Sequence, residues 1–85
     1  MAWKLAWSID AADFMGRVER PVAERIAAKL ESVLENPSRH FSRLSGAEEW
    51  KLRVGDHRVI ALLLHSERVV FVERVGHRKN IYKNK

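Results

Sequence analysis

The chain opens with hydrophobic residues in an alternating pattern and continues with hydrophobic residues at helical spacing. Residues 3–7 alternate apolar and polar positions and include two tryptophans, which is typical of a short strand. Ser8 is suited to cap a following helix, with Asp10 and Asp13 near the positive end of its dipole. The apolar positions of this first helix are Ala11, Phe14, Met15 and Val18.

A second helix is predicted directly afterwards. Pro21 suits its first turn. The apolar stripe, with a period near 3.6, comprises Val22, Ile26, Ala27, Leu30, Val33 and Leu34. Asn36-Pro37 ends the helix, because a residue before proline is driven out of the helical region. Residues 36–49 show no steady period and are predicted to form a surface loop with a little ordered backbone.

The rest of the chain predicts an antiparallel meander. Residues 50–54 alternate, Gly55-Asp56 suits a hairpin turn, and residues 59–64 form the apolar run of a central strand. The chain turns at residues 65–68 into a last strand that ends near Val75-Gly76. We therefore predict one α+β domain over residues 1–85. Two N-terminal helices pack on a small, mainly antiparallel sheet in the order β-α-α-β-β-β.

Composition restricts the classes of protein. With 46% hydrophobic and 32% charged residues, the 85-residue chain is unlike a disordered tail. The absence of cysteine excludes disulfides and thiolate metal sites. We expect no signal peptide, no membrane span and no membrane partner, and a cytoplasmic location. The net charge is −1 over residues 1–50 and +6 over residues 51–85, which indicates nucleic acid or an acidic protein as partner.

The predicted hairpin gathers cations on one face of the sheet. With Gly55-Asp56 in the turn, Arg53 faces Arg58, and Lys51 lies on the same face. In the basic tail that follows, Arg78, Lys79 and Lys83 surround Tyr82. Cations with an aromatic platform are typical of a site for single-stranded nucleic acid. The alternatives are a solvated cationic face and a frayed basic terminus, with Tyr82 packed on the sheet.

Catalysis with a metal or cofactor is not indicated. The four histidines lack zinc-ligand spacing, and no glycine-rich phosphate loop or Gly-x-Ser-x-Gly elbow is present. We therefore expect no metal and no cofactor. Cations, histidines and a tyrosine suit RNA cleavage in which the 2′-hydroxyl of the RNA attacks the adjacent phosphate.

Residues 50–60, read with residues 75–82, closely resemble the RelE family of type II toxins. The resemblance implies a small α/β fold with two helices on an antiparallel sheet, and metal-free cleavage of mRNA in the ribosomal A site. It implies that an acidic antitoxin silences the toxin, so the expected partners are this antitoxin, the ribosome and mRNA. The chain departs from the family where His57 replaces a frequent tyrosine, Ala61 a frequent aromatic residue and Glu49 an occasional lysine.

The resemblance also assigns roles by position. It makes Lys51 a catalytic lysine, Arg58 and Arg78 the arginines at the scissile phosphate, and Tyr82 the residue that orients the substrate. Further substrate or RNA contacts are expected from Arg53, His77, Lys79 and Lys83. Lys51 is the preferred general base, since a lysine crowded by cations can lose its proton, and His77 is the second choice.

Two alternative functions stay open at this point. The related ParE toxins share the fold and act on DNA gyrase, and a basic RNA-binding module without catalysis would have a similar charge. The hairpin register adds an expectation about the partner. Apolar residues share the face of Arg58, and we expect an apolar, acidic antitoxin segment to cover them: Ile60, Leu62, Leu64, Val69 and Phe71.

Overall fold

The computed structural model describes residues 2–44, 46 and 48–81. Its elements are β1 (Lys4–Trp7), α1 (Ile9–Arg17), α2 (Arg20–Ser32), α3 (Pro37–His40), β2 (Ser42–Arg43), β3 (Trp50–Val54), β4 (His57–Leu64) and β5 (Val69–His77). The five strands are ordered β1-β5-β4-β3-β2, with β1 parallel to β5 and all other pairs antiparallel. The predicted α+β class and mainly antiparallel sheet are confirmed.

The two predicted helices form for the local reasons that their sequences suggest. Ser8 caps α1, because its Oγ accepts a hydrogen bond from the Ala11 amide at 3.0 Å. The same hydroxyl donates to the Glu73 carbonyl at 2.6 Å, which ties α1 to β5. Pro21 lies in the first turn of α2, which ends at Ser32, earlier than Asn36-Pro37.

The predicted surface loop over residues 36–49 contains short ordered elements. Pro37 starts the single turn of α3, and Ser42 and Arg43 pair with Lys51 and Trp50 of β3. Phe41, only 4% exposed, anchors the chain between these two elements. Elements of four and two residues are too short to establish a hydrophobic period in the sequence.

The predicted hairpin register is confirmed. Arg53 faces Arg58 and Val54 faces His57 across the β3–β4 turn. Gly55 has a φ of 59°, whereas Asp56 does not share that left-handed backbone. A positive φ at the first central position is the mark of a type II′ turn, which requires glycine there. This explains how the order Gly-Asp closes the hairpin.

The helices cover one face of the sheet. The core on that side includes Ile26 and Leu30 of α2 and a layer of strand residues: Leu52, Val54, Val59, Ala61, Leu63, Val70, Val72 and Val75. The opposite surface, which carries Lys51, Arg53 and Arg58, is called the open face below. Its predicted apolar residues are half-buried (Leu62, Val69 and Phe71), 37% exposed (Leu64) or fully buried (Ile60).

A β-bulge in β5 resets the alternation of side chains before the strand ends. Val72 faces Ala61 and Arg74 faces Ile60, so Glu73 is the extra residue. Arg74 and Gly76 therefore lie at open-face positions, whereas Val75 lies in the core. His77 faces His57 on the helix side of the sheet.

Candidate active site

Five cationic side chains line a groove on the open face: Lys51, Arg53, Arg58, Arg78 and Lys79. Lys51 and Arg53 come from β3 and Arg58 from β4. Arg78 and Lys79 belong to the tail, defined here as residues 78–81. Because every side chain that lines it within the described part of the chain is cationic, the groove offers a concentrated positive field to an anion.

Arg58 is the most deeply placed of these cations. It is 9% exposed, and its Nη1 donates to the carbonyls of Gly55 at 3.0 Å and His57 at 2.9 Å. A guanidinium has five N–H donors, so these two bonds leave three for a ligand. The turn thus holds the guanidinium in one orientation, while its remaining donors suit the oxygens of a phosphate.

The tail returns to the hairpin through a backbone contact. The Arg78 amide donates to the Asp56 carbonyl at 2.8 Å. The two side chains also form an ion pair, Nε to Oδ1, at 4.0 Å. Both side chains are more than half exposed, so the ion pair adds little stability. The short hydrogen bond from the Arg78 amide to the Asp56 carbonyl is therefore the main contact that places Arg78 beside the groove.

The end of the tail packs over Gly76. A Cβ atom built on Gly76 would lie 3.1 Å from Cδ1 of Ile81, which is tighter than an ordinary contact. Ile81 is only 6% exposed, and Nη1 of Arg74 donates to its carbonyl at 3.4 Å. Glycine at position 76 therefore allows the tail to lie close against the sheet.

His57 and His77 lie on the side of the sheet that the helices cover. The rings of His57 and His77 meet edge to face at 5.5 Å, and His57 lies 5.9 Å from Phe14 of α1. Burial lowers the pKa of His57, and the neighbouring His77 and Arg25 lower it further, against the attraction of Asp56. His77 does not line the groove, so its predicted RNA contact stays a prediction with no support from its placement.

A carboxyl pair lies next to Arg74. Glu49 and Glu73 share a side-chain hydrogen bond, and Glu49 also lies 3.6 Å from Nη2 of Arg74. Burial raises the pKa of Glu73, and the hydrogen bond and charge of Glu49 raise it further, while Arg74 opposes them. The departure from the family at Glu49 thus forms part of a network beside the groove.

The structure brings together most of the cations predicted from the sequence. Lys51, Arg53, Arg58, Arg78 and Lys79 share the groove. Tyr82 and Lys83 lie outside the described residues.

Sequence reasoning missed the residues that anchor the tail. The Asp56 carbonyl is a backbone group, which no residue pattern can reveal. Arg25 of α2 was also missed, although its Nη1 lies 3.7 Å from a Cβ built on Gly55. The one available signal was Gly76 directly before the basic run.

The described residues 2–44, 46 and 48–81 contain neither a metal-binding cluster nor a membrane-spanning helix. No group of three or more His, Cys, Asp or Glu side chains there could hold a metal ion. No helix within these ranges has the length and apolar character needed to cross a membrane.

Comparison with known proteins finds similarity to toxins of type II toxin-antitoxin systems. The family model for the ParE toxin of the type II toxin-antitoxin system, parDE, matches residues 5–82. A mutant of the E. coli toxin RelE in the free state has 28% sequence identity and a TM-score of 0.78, covering 95% of this chain and 88% of that chain. No curated protein matches the chain significantly.

Two further structures share the fold at lower identity. A RelBE toxin-antitoxin complex from Mycobacterium tuberculosis has a TM-score of 0.83 at 16% identity, covering 92% of this chain and 100% of that chain. The YoeB/ParE toxin from Agrobacterium tumefaciens has a TM-score of 0.73 at 22% identity, with coverage of 87% and 96%. Since the family model spans nearly the whole sequence, the chain belongs to the ParE toxin family of type II toxin–antitoxin systems, within the RelE/ParE superfamily.

Proposed function

We propose that this toxin is a ribosome-dependent mRNA endonuclease that inhibits translation. The observation that carries the proposal is the groove, whose five lining side chains are all cationic. Guanidinium and ammonium groups bind phosphate through charge-assisted hydrogen bonds. The 28% identity with the E. coli toxin RelE supports the resemblance to the RelE family, and that resemblance implies mRNA as the substrate.

The proposed reaction needs no reactant besides the RNA. The 2′-oxygen attacks the adjacent phosphorus, and the bond from phosphorus to the 5′-oxygen breaks. Lys51 accepts the 2′-proton, and the departing 5′-oxygen takes a proton from the solvent, which leaves a 2′,3′-cyclic phosphate on one product and a 5′-hydroxyl on the other. Arg58 and Arg78 stabilise the charge on the phosphorane, since an arginine keeps its own proton.

The other basic residues bind and orient the RNA in this proposal. Arg53 and Lys79 line the groove beside the reacting phosphate. Tyr82 orients or stacks a base, and Lys83 contacts the backbone of the RNA.

The toxin's regulation follows from the same surface. We expect a cognate acidic antitoxin to bind the toxin in the cytoplasm. Its acidic groups would neutralise the groove, and its apolar residues would cover the open face. The E. coli RelBE complex, at 28% identity, supports a partner of this kind.

A second candidate is inhibition of DNA gyrase, as the resemblance to ParE toxins implies. The observation in its favour is the family model, which is described as a ParE toxin. A gyrase inhibitor does not need a base and phosphate-binding arginines within one groove. The convergence of Lys51, Arg58 and Arg78 therefore favours RNA cleavage.

Ribosome toeprinting on a defined mRNA tests the proposal. Toxin added to active 70S ribosomes should cut the mRNA in the A site, and Lys51→Ala should abolish most of that cutting. Lys29→Ala, which removes an exposed lysine of α2, is the matched control. Intact mRNA with stoichiometric toxin would overturn the proposal, and inhibition of gyrase supercoiling by the same preparation would establish the second candidate.

A further inference from the structure

An imidazole nitrogen fixes the first bend of the tail. The Lys79 amide donates to Nδ1 of His77 at 3.1 Å. The His77 carbonyl accepts from the amides of Asn80 at 2.8 Å and Ile81 at 3.0 Å. Nδ1 can accept a hydrogen bond only while it carries no proton, because an imidazolium donates at both nitrogens. The observed bend therefore requires the neutral form of the His77 ring.

Charged groups surround the ring pair of His57 and His77 on several sides. They are Asp10, Asp13 and Arg17 of α1, Arg25 of α2, Asp56 of the hairpin turn and Arg74 of β5. At His57, Asp56 favours the charged ring, whereas His77 and Arg25 oppose it. Burial and the nearby cations outweigh Asp56 at His57, whose pKa is lowered. Protonation in acid therefore places a positive charge on the His57 ring, where burial and the nearby cations disfavour it.

We infer that His77 is a positioning residue, whose neutral Nδ1 fixes the bend of the tail that brings Lys79 into the groove. Protonation of His77 removes the acceptor for the Lys79 amide and places a cation 5.5 Å from the His57 ring. The first bend of the tail then loosens at Lys79, which lines the groove, while the Arg78 amide keeps its hydrogen bond to the Asp56 carbonyl. The inference rests on the proposed function only in taking RNA as the ligand of the groove.

Release of the tail in acid and the gain of positive charge in acid have opposite effects on the affinity for RNA. A basic protein gains positive charge in acid, so charge alone makes its binding to RNA tighter. Release of the tail makes binding weaker instead. His77→Asn sharpens this contrast, since an asparagine Oδ1 can accept the Lys79 amide bond but cannot be protonated near neutral pH. His77→Leu removes the acceptor at every pH.

The test measures binding of a short single-stranded RNA to the full-length toxin between pH 8 and pH 5.5. His77→Leu should bind about three- to tenfold more weakly at pH 8, which is the weight of one net hydrogen bond. His77→Asn should recover most of that affinity. At pH 5.5 it should bind about three- to tenfold more tightly than the wild type, although it carries less positive charge. His40→Asn, at an exposed histidine of α3, is the control for a lost charge.

A second readout is independent of RNA. In ¹⁵N NMR spectra of the full-length toxin, the Lys79 amide resonance should titrate with the His77 ring in the wild type and remain constant in His77→Asn. Equal RNA affinity of His77→Leu and wild type at pH 8 would overturn the inference. A Lys79 amide resonance that does not shift when the His77 ring is protonated would also overturn it. A toxin that binds RNA without cleaving it would refute the nuclease proposal alone.

Discussion

Arg53 and Arg58 lie directly opposite each other across the β3–β4 hairpin. Like charges in such positions destabilise a sheet. Arg53 is exposed, but Arg58 is 9% exposed, so solvent screens this pair less than a fully exposed one. Bonds to two turn carbonyls compensate part of the desolvation of Arg58. A sheet that retains this arrangement has a site suited to an anion.

Lys51→Ala tests the proposed general base. A base contributes typically ~10²–10⁴-fold to a rate, so single-turnover cleavage on ribosomes should fall by at least about a hundredfold. Ribosome binding should persist, because four of the five groove cations remain. Lys29→Ala should cleave at the wild-type rate. Cleavage by Lys51→Ala at the wild-type rate would rule out Lys51 as the general base.

Arg58→Lys tests the need for a guanidinium. The substitution keeps the charge but loses the planar fork, and it weakens the bonds to the Gly55 and His57 carbonyls. We expect cleavage at saturating ribosomes to fall by about tenfold or more, the weight of one charge-assisted hydrogen bond. Arg39→Lys on α3 provides the comparison, since Arg39 is exposed. Full activity of Arg58→Lys would show that charge alone is sufficient.

Gly76→Ala should lower the cleavage activity without a matching loss of thermal stability. The added Cβ lies 3.1 Å from Cδ1 of the buried Ile81, so the tail must move by a few tenths of an ångström. Cleavage should fall by roughly tenfold, within the range for small misplacements at an active site. The thermal midpoint should change little, because alanine also restricts the unfolded chain.

The matched control for this prediction is Gly16→Ala in α1. No atom lies within 4 Å of a Cβ at Gly16, and alanine favours a helix by roughly 0.5–1 kcal/mol. This variant should be more stable and fully active. Undiminished cleavage by Gly76→Ala would show that the tail does not need its close approach to the sheet.

The sequence predicted the groove well because the hairpin register follows from a local signal. Gly55-Asp56 fixes the turn, and the turn fixes which residues face Arg58. Parallel pairing of β1 with β5 joins segments more than sixty residues apart, and no local signal specifies it. The hydrogen bond from the Arg78 amide to the Asp56 carbonyl could not be predicted for a similar reason, since every residue has a backbone carbonyl.

His77 shows how one extra residue defeats reasoning from alternation. Continued from Phe71, an unbroken period of two would place His77 on the open face with Arg58. The bulge at Glu73 shifts the period and places His77 beside His57 on the helix side. The Glu73 carbonyl accepts the hydroxyl of Ser8 at 2.6 Å, which supports the bulge from a distant part of the chain. Such a long-range contact leaves no local pattern.

Glu73→Gln should alter the dependence of stability on pH. The pKa of Glu73 is raised above its usual 4.5, so the folded state binds the proton more tightly than the unfolded state. Wild-type stability attributable to this group is therefore present below pH 4.5 and is lost as pH rises through the raised value. Gln removes this loss and should stabilise the toxin at pH 7 by a few tenths of a kcal/mol, a small value because Glu73 is only partly buried.

Urea unfolding at pH 4 and pH 7 measures this difference. The midpoints of Glu73→Gln and wild type should agree at pH 4 and separate at pH 7. Glu24→Gln, at an exposed position of α2, should show no such separation. A variant that is less stable at pH 7 would mean that attraction between Glu73 and Arg74 outweighs burial and the Glu49 carboxylate.

Antitoxin binding should raise the thermal midpoint of the toxin. The open face combines cations with incompletely covered apolar side chains, since Leu64 is 37% exposed and Leu62 and Phe71 are half-buried. A partner that binds only the folded toxin stabilises it by mass action, by about 2.7 kcal/mol at a concentration one hundred times its Kd. If the antitoxin neutralises the charge of the groove, the increase in thermal midpoint should be smaller at higher salt concentration. An unchanged midpoint at saturating antitoxin, or a complex in which the antitoxin touches only the outer surface of the helices, would contradict inhibition through the open face.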